Sequence, residues 1–321
     1  MILASLPEGR DGALRIVAPD RATATRAGAA TFRALLDGAS DAAAGGPEPF
    51  DIARCGAPLP RTGQFLDGSA YVNHVELVRK ARGVPMPESF WTDPLMYQGC
   101  SDPFLGPADP ILTDPTWGTD FEAEVAVVTG DVPLGADIDT ARAAIRFVLL
   151  LNDVSLRGLI PDELGKGFGF VHGKPPSALA PLAVAPEALP GWDGDRLNAT
   201  MCIDLNGAPF GRLDAGRDMT FGFPELIAHA ARTRPLAAGT VVGSGTVSNK
   251  GADGGPGRTV ADGGAGYACL AEQRMVETIR DGKPSTPFLK SGDRVEIWME
   301  DAEGRDLFGR IAQDVKARSE T

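Results

Sequence analysis

The chain has 321 residues, of which 43% are hydrophobic and 23% charged, and its formal net charge is −12. This is the composition of a globular protein with enough apolar material for a full core without disulfides or a structural metal. The acidic balance disfavours a nucleic-acid partner, because that partner requires a basic surface. We see no signal peptide, no membrane-spanning run and no metal-type spacing of the four cysteines, so we expect a reduced, cytoplasmic protein without a membrane partner.

The 40 glycines and 26 prolines favour many turns and a β-rich fold. Near the N-terminus, "ALRIVA" (13–18) predicts a strand, and "TRAGAATFRALLDGA" (25–39) has the spacing of a helix. Pro- and Gly-rich segments, which favour turns and domain boundaries, follow this helix. We therefore expect a small N-terminal domain at 1–64 and a larger catalytic domain at 65–321. The larger domain opens with "LDGSAYVNHVELVRKARG" (66–83), which predicts a helix closed by Gly83.

The remaining segments alternate between predicted strands and predicted helices. The strands are expected at 121–130, 182–189, 199–211, 239–248 and 294–301. The helices are expected at 138–153 and 223–234. The Gly-rich stretch 251–266 predicts a loop, which is either a flexible surface connection or a lid over the site.

Carboxylates at alternate positions open the segment "DFEAEVAVV" (120–128), namely Asp120, Glu122 and Glu124. Residues two apart in a strand point to the same side, so these side chains repel one another unless a cation lies between them. A half-exposed polar strand face is the alternative interpretation. Oxygen ligands of this kind suit Mg²⁺, Mn²⁺ or Ca²⁺.

Two further segments add candidate residues. Asp153 ends the apolar run "FVLLLND", where a buried carboxylate needs a partner or a metal, although a plain turn aspartate is also common. Asp67 and His74 are seven residues apart, which puts them on one face of the predicted helix. A lone histidine on a helix is often structural, but His74 is the best candidate base of the three histidines in the chain.

Taken in order, these segments resemble the fumarylacetoacetate hydrolase family. The resemblance covers about residues 65–315. It rests on an ordered set of short motifs: Asp67…His74, Tyr97 in "LMYQGCSD", Glu122-x-Glu124, Asn152-Asp153-x-Ser155-x-Arg157, Lys174 in "GKPPSALAP", and Ser244-Gly245-Thr246 in "GSGTVSN".

The resemblance implies a mixed β-roll catalytic domain, an α+β fold that is rich in strands and is usually dimeric. It also implies one divalent metal per site, with core ligands at Glu122, Glu124 and Asp153. In the fumarylacetoacetases a fourth carboxylate ligand and a catalytic histidine stand seven apart, which corresponds to Asp67 and His74. The implied homodimer would act on a small β-diketo or 2-oxo acid.

The family cleaves or rearranges such compounds, and its metal acts as a Lewis acid that stabilises an enolate. His74 would activate water with the help of a glutamate. That partner most resembles Glu277, and Glu272 stays open as an alternative. Lys174 would neutralise developing oxyanion charge, with Lys166 as its rival.

Substrate binding falls by resemblance on four residues, Tyr97, Arg157, Gly245 and Thr246. The chain departs from the fumarylacetoacetases where they carry a substrate-contacting Gln and Tyr, because Ile160 and Leu164 stand there. We therefore expect a metal-dependent carbon–carbon bond hydrolase of the fumarylacetoacetase type, in aromatic or tyrosine catabolism. Alternatives are acylpyruvate hydrolysis, oxaloacetate decarboxylation, 2-oxo acid hydration or isomerisation, and a non-catalytic metal or small-molecule binder.

Overall fold

The computed structural model describes residues 1–320. Its strands are β1 (Ile2–Leu6), β2 (Ala13–Val17), β3 (Thr23–Arg26), β4 (Glu48–Pro49), β5 (Phe65–Gly68), β6 (Met96–Gln98), β7 (Ile111–Thr113), β8 (Thr119–Asp120), β9 (Ala123–Thr129), β10 (Ile145–Asn152), β11 (Ser155–Leu156), β12 (Ala178–Leu179), β13 (Leu182–Val184), β14 (Thr200–Leu205), β15 (Ala208–Asp214), β16 (Val241–Gly243), β17 (Arg294–Glu300) and β18 (Ile311–Ala317). Its α-helices are α1 (Phe32–Leu36), α2 (Val72–Ala81), α3 (Ile138–Ala143), α4 (Ile160–Lys166), α5 (Phe223–Ala230) and α6 (Leu270–Asp281).

Most strands belong to one 11-stranded sheet with the order β4-β3-β2-β1-β13-β10-β9-β16-β5-β6, in which β12 also pairs with β10. A five-stranded sheet has the order β15-β14-β17-β18-β7, and β8 and β11 form a two-stranded ribbon. Pairing is antiparallel except between β16 and β5 and between β18 and β7. The expected β-rich mixed fold is confirmed.

The centre of the large sheet is apolar on both faces. Every residue of β9 is buried, and β10 is buried except at Arg146. Strands covered on both sides have near-continuous apolar sequences, which explains "VAVV" and "FVLLL". The charged exception within β9 is Glu124, which pairs with Leu151 of β10. That register sets Glu124 beside the end of β10, where Asp153 follows.

Several predicted elements differ from the structure. The helix expected at 138–153 ends at Ala143, and the apolar remainder is β10, because its run of Phe, Val and Leu pairs with β9. The expected helix at 66–83 begins only at Val72, since "FLDG" forms β5 in parallel with β16. Asp67 therefore lies on a strand, and the argument that it shares a helix face with His74 is wrong.

Two further elements near the N-terminus and at 199–211 also differ from the sequence expectation. The helix expected at 25–39 shortens to α1, and Thr23–Arg26 pairs instead with β2. The single strand expected at 199–211 is a hairpin, in which β14 and β15 pair antiparallel on either side of a turn at Asn206 and Gly207. Among the described residues, no helix is both long and apolar enough to cross a bilayer.

The N-terminal strands extend the large sheet, because β1 pairs antiparallel with β13. Phe32 of α1 is fully buried and meets Phe147 of β10 edge-on, with ring centroids 4.9 Å apart. The first 64 residues thus share a core with the centre of the sheet, and the division of the chain at residue 64 stays a prediction.

We expect Phe32→Ala to lower the free energy of unfolding by about 3–5 kcal/mol, because it empties a large buried volume against Phe147. Leu134→Ala is the control, since Leu134 is 62% exposed and its loss leaves no cavity. Urea unfolding checks both variants. Equal stabilities would mean that the N-terminal segment is not packed on the sheet as described.

Candidate active site

Three acidic side chains converge at one end of the central strands. Asp67 comes from β5, Glu124 from β9 and Asp153 from the turn after β10. Each can offer one carboxylate oxygen, and these oxygens all lie within 4.8 Å of one another. All three residues are buried. We call this group the carboxylate triad.

The triad has the properties that a hard divalent cation requires. Both carboxylate oxygens of Glu124 are buried, and neither has a hydrogen-bond partner among the described residues. Burial and the charge of Asp67 raise the pKa of Glu124 well above its usual value. Burial and the charge of Asp153 raise the pKa of Asp67 to about 7. Buried carboxylate oxygens crowded in this way, with those of Glu124 unpartnered, fit Mg²⁺, Mn²⁺ or Ca²⁺.

Gly243 of β16 leaves the space in which the triad sits. A methyl group at this position would overlap Oδ1 of Asp67 and lie 3.0 Å from Oε2 of Glu124. The strand pairing explains this closeness, since Gly243 is opposite Asp67 in β5 and opposite Ala126 in β9.

Glu122 lies beside the triad but is held by cations of the chain itself. Its Oε2 accepts a hydrogen bond from Lys174 Nζ at 2.8 Å, and its Oε1 accepts from Arg157 Nη2. Burial acts to raise the pKa of Glu122, but the positive charges of Arg157 and Lys174 outweigh it and lower that pKa well below the usual range. The structure thus brings Glu122 into the cluster as the partner of Arg157 and Lys174.

Lys174 also reaches the triad. Its Nζ donates to Asp153 Oδ2 at 2.6 Å and lies 4.9 Å from the centre of the Tyr97 ring. Tyr97 donates its hydroxyl to the same Asp153 oxygen, and Ser177 Oγ donates to the other oxygen at 2.6 Å. Lys166, the rival candidate, is exposed at the end of α4, so the structure places Lys174 in the cluster.

His74 is paired with Glu272, not with Glu277. Its Nδ1 lies 2.7 Å from Glu272 Oε2, and the other oxygen of Glu272 accepts from Ser248 Oγ at 3.0 Å. Ser248 accepts in turn from Asn73 Nδ2 at 2.6 Å. These four side chains form a hydrogen-bonded relay from α2 to α6, and the expectation that Glu277 contacts His74 is wrong.

Glu277 has a different task on α6. One of its carboxylate oxygens accepts from the backbone N–H groups of Ser285 and Thr286, and the other accepts from the Thr286 hydroxyl. Glu272 and Glu277 are both buried, but they point to different neighbours. Glu277 therefore anchors the loop that follows α6.

The remaining predicted substrate residues border the triad or its partners. The backbone N–H of Gly245 donates to Asp67 Oδ1 at 3.1 Å, and Thr246 is buried next to it in the chain. Arg157 commits its Nε to Asp120 at 3.0 Å and its Nη2 to Glu122. Sequence reasoning missed Ser177 and Ser248, because single serines carry no signal of their own.

The buried acidic cluster could hold a divalent cation, and the His74–Glu272 pair has the residue types of a general base and its orienting carboxylate. Residues 64–316 match the family described as fumarylacetoacetate (FAA) hydrolase, C-terminal. The chain therefore belongs to the fumarylacetoacetate hydrolase family, and we treat it as an enzyme of that family.

Similar proteins include a 2,4-didehydro-3-deoxy-L-rhamnonate hydrolase from Sphingomonas sp. (strain SKA58), 25% identical over 255 residues that cover 77% of this chain and 73% of that protein. The structure of a fumarylacetoacetate hydrolase from Exiguobacterium antarcticum has a TM-score of 0.67 at 16% identity and covers 99% of this chain and 100% of that one. A maleylpyruvate hydrolase from Sphingobium sp. SYK-6, in complex with manganese(II) and pyruvate, has a TM-score of 0.59 at 16% identity and covers 99% of each chain. The two structures are similar in fold.

We expect Gly243→Ala to weaken Mn²⁺ binding by about tenfold or more, because the added methyl group displaces the oxygens of Asp67 and Glu124. Isothermal titration with Mn²⁺ checks this. Gly46→Ala is the matched control, since a methyl group there meets no atom within 4 Å. Unchanged Mn²⁺ affinity in Gly243→Ala would place the ion outside the triad.

Burial acts to raise the pKa of Glu277, but hydrogen bonds from Thr286 and Ser285 lower it to about 2. A lowered carboxylate pKa stabilises the folded state above the unfolded pKa of about 4.3, and the effect is lost as pH falls through the folded value. Glu277→Gln should therefore cost about 2 kcal/mol of unfolding free energy near pH 7 and progressively less between about pH 4 and pH 2. Denaturant unfolding at several pH values checks this, and a pH-independent difference would contradict it.

Proposed function

We propose that the protein is a divalent-metal-dependent hydrolase that cleaves a carbon–carbon bond in a β-diketo acid such as fumarylacetoacetate. The observations that carry this proposal are the His74–Glu272 pair and the buried carboxylate triad. Rearrangement alone needs a metal site, whereas hydrolysis also needs a base for water. A histidine oriented by a buried carboxylate meets that need.

The triad, Asp67, Glu124 and Asp153, would hold the cation. The family resemblance also assigns Glu122 to the core ligands, and Glu122 lies beside the triad as the partner of Lys174 and Arg157. Bound there, Mg²⁺, Mn²⁺ or Ca²⁺ supplies Lewis-acid polarisation of a chelating dicarbonyl group. The manganese(II) in the maleylpyruvate hydrolase structure supports a divalent ion in this fold.

His74 is the proposed general base. With Glu272 Oε2 as the acceptor at Nδ1, we assign the imidazole proton to Nδ1, which makes Nε2 the nitrogen that accepts a proton. Nε2 takes a proton from water while the water oxygen bonds to a carbonyl carbon of the substrate. The carbon–carbon bond then breaks, its electron pair leaves with the departing fragment as an enolate, and His74 returns the proton to that fragment. The charge of Glu272 stabilises the intermediate imidazolium.

Lys174 supplies a fixed positive charge next to this chemistry. Burial acts to lower the pKa of Lys174, but the charges of Asp153 and Glu122 outweigh it and raise that pKa, which keeps the ammonium group protonated. We assign to it the stabilisation of the developing oxyanion. Tyr97, Arg157, Gly245 and Thr246 are the proposed substrate-binding residues.

A second candidate is hydrolysis of a 2,4-dioxo acid, the acylpyruvate class. Two observations favour it. Ile160 and Leu164 occupy positions where the fumarylacetoacetases carry polar substrate contacts, and Leu164 is 51% exposed. The names of the Sphingomonas and Sphingobium enzymes both denote acids with carbonyls at C2 and C4. The same base and metal would serve this reaction.

We expect His74→Ala to lower kcat by about 10²- to 10⁴-fold, since it removes the base. Loss of substrate ultraviolet absorbance with Mg²⁺ or Mn²⁺ measures it, using fumarylacetoacetate and a short acylpyruvate. His172→Ala is the control, because His172 is exposed and its imidazole has no partner in the relay.

Turnover of acylpyruvate alone would favour the second candidate and keep the roles of His74 and the metal. Full activity of His74→Ala would remove the hydrolytic base from the proposal. Turnover that survives exhaustive chelation would exclude the metal. Dimer assembly and a place in tyrosine or other aromatic catabolism stay predictions, and sedimentation analysis tests the first of them.

A further inference from the structure

Asp120 is a buried carboxylate that the proposed mechanism does not use. Its residue is fully buried, and its two oxygens accept four hydrogen bonds. Oδ1 accepts from the backbone N–H groups of Phe121 at 2.9 Å and Leu270 at 2.8 Å. Oδ2 accepts from the backbone N–H of Ala271 at 3.0 Å and from Arg157 Nε at 3.0 Å. All four donors come from protein segments that build the site.

One set of hydrogen bonds connects Asp120 with the proposed base, His74, through the start of α6. Leu270 and Ala271 are the first two residues of α6, and their N–H groups have no acceptor within the helix. A carboxylate that accepts both fixes the start of the helix and is favoured there by the helix dipole. Glu272 follows directly and holds His74 Nδ1. A shift of the first turn of α6 would therefore move the acceptor of the base.

A second set of hydrogen bonds connects Asp120 with the carboxylate cluster, that is, the triad together with Glu122. Arg157 bridges Asp120 and Glu122, and Glu122 accepts from Lys174. Lys174 in turn donates to Asp153 of the triad. The β8–β11 ribbon holds Asp120 close to Arg157, since Asp120 is opposite Ser155, two residues before Arg157.

We propose that Asp120 is a positioning residue that fixes the His74–Glu272 pair relative to the carboxylate cluster. This inference rests on the proposed function for its effect on rate. Two of the four donors, the N–H groups of Leu270 and Ala271, fix the position of the base. A third, Arg157, fixes the position of the carboxylate cluster. The one carboxylate therefore controls the separation between the base and the cluster. Asp120→Asn breaks this geometry, because an amide nitrogen at the Oδ2 position faces the donors of Ala271 and Arg157 and accepts from neither.

A purely structural role is the competing explanation, and the chain offers a matched control for it. Asp301 is also buried, and it accepts from the backbone N–H groups of Glu303 and Arg305 and from Arg305 Nε at 2.7 Å. It lies in the loop after β17, and none of these partners belongs to the site. Asp301→Asn removes the same kinds of hydrogen bond without touching α6 or Arg157.

The first test needs no substrate. Imidazole ¹⁵N spectra of the histidine-labelled protein identify His74 by its absence in His74→Ala. We expect Asp120→Asn to shift or broaden the His74 Nδ1 signal, because the hydrogen bond to Glu272 is no longer held in one geometry. We expect Asp301→Asn to leave that signal unchanged. Mn²⁺ titration of the same samples should show weaker binding in Asp120→Asn only.

The second test is kinetic and uses the metal-loaded protein. Asp120→Asn should lower kcat by about 10²-fold and change KM little, since small displacements of a catalytic group have that effect. Combined with His74→Ala it should add much less than its own factor, because the base that Asp120 positions is already gone and only the effect on the carboxylate cluster remains. If Asp120→Asn does not fold, Asp120→Glu replaces it, since the longer carboxylate keeps the charge and shifts the contact points.

The proposal is overturned if Asp120→Asn keeps the His74 signal and the Mn²⁺ affinity of the unchanged protein, or if Asp301→Asn reproduces both effects. It is also overturned if the losses in kcat of Asp120→Asn and His74→Ala multiply. If the unchanged protein turns over no β-diketo acid, the proposed function fails alone, because the spectra and the Mn²⁺ titration still decide the role of Asp120.

Discussion

The repulsion among three buried carboxylates is the constraint on which the site depends. At the separations within the triad, each ionised pair costs at least about 3 kcal/mol at an effective dielectric constant of about 20. Three such pairs approach the total stability of an ordinary domain. Full ionisation therefore requires compensating positive charge. The chain supplies part of it through Lys174, whose Nζ contacts Asp153, and leaves Glu124 without any partner among the described residues.

The unequal distribution of the chain's own positive charges explains why Glu122 and Glu124, two residues apart, differ in pKa. Arg157 and Lys174 neutralise Glu122, so its pKa falls. Burial, together with the like charges of Asp67 and Asp153, raises the pKa of Glu124. The cluster thus combines a compensated half, which belongs to the protein's own ion pairs, with an uncompensated half. A cation is needed only in the uncompensated half.

Residue patterns alone pointed to part of the cluster, and the family resemblance was needed for the rest, including Asp67, which lies on a strand and not on the expected helix. Glu124 and Asp153 could be predicted because a carboxylate at the start or end of a long apolar run is anomalous wherever it lies. Glu272 and Glu277 could not be separated in this way, since both stand on α6. Five residues of helix rotate the direction of a side chain by about 140°, so only one faces α2. Likewise "FVLLL" at 147–151 fits helix or strand until its pairing with β9 is known.

Assembly of the site during folding also depends on strand β16. Gly243 pairs with Asp67 on one side and Ala126 on the other, so β16 joins β5 to β9 although it comes much later in the chain. Asp67 and Glu124 therefore meet only after a segment distant in sequence has been inserted between their strands. Contacts between segments so distant in sequence slow folding, since the entropy of closing the intervening chain opposes them. An ion that binds the triad binds the completed sheet alone, and its concentration then acts directly on the folding equilibrium of the whole protein.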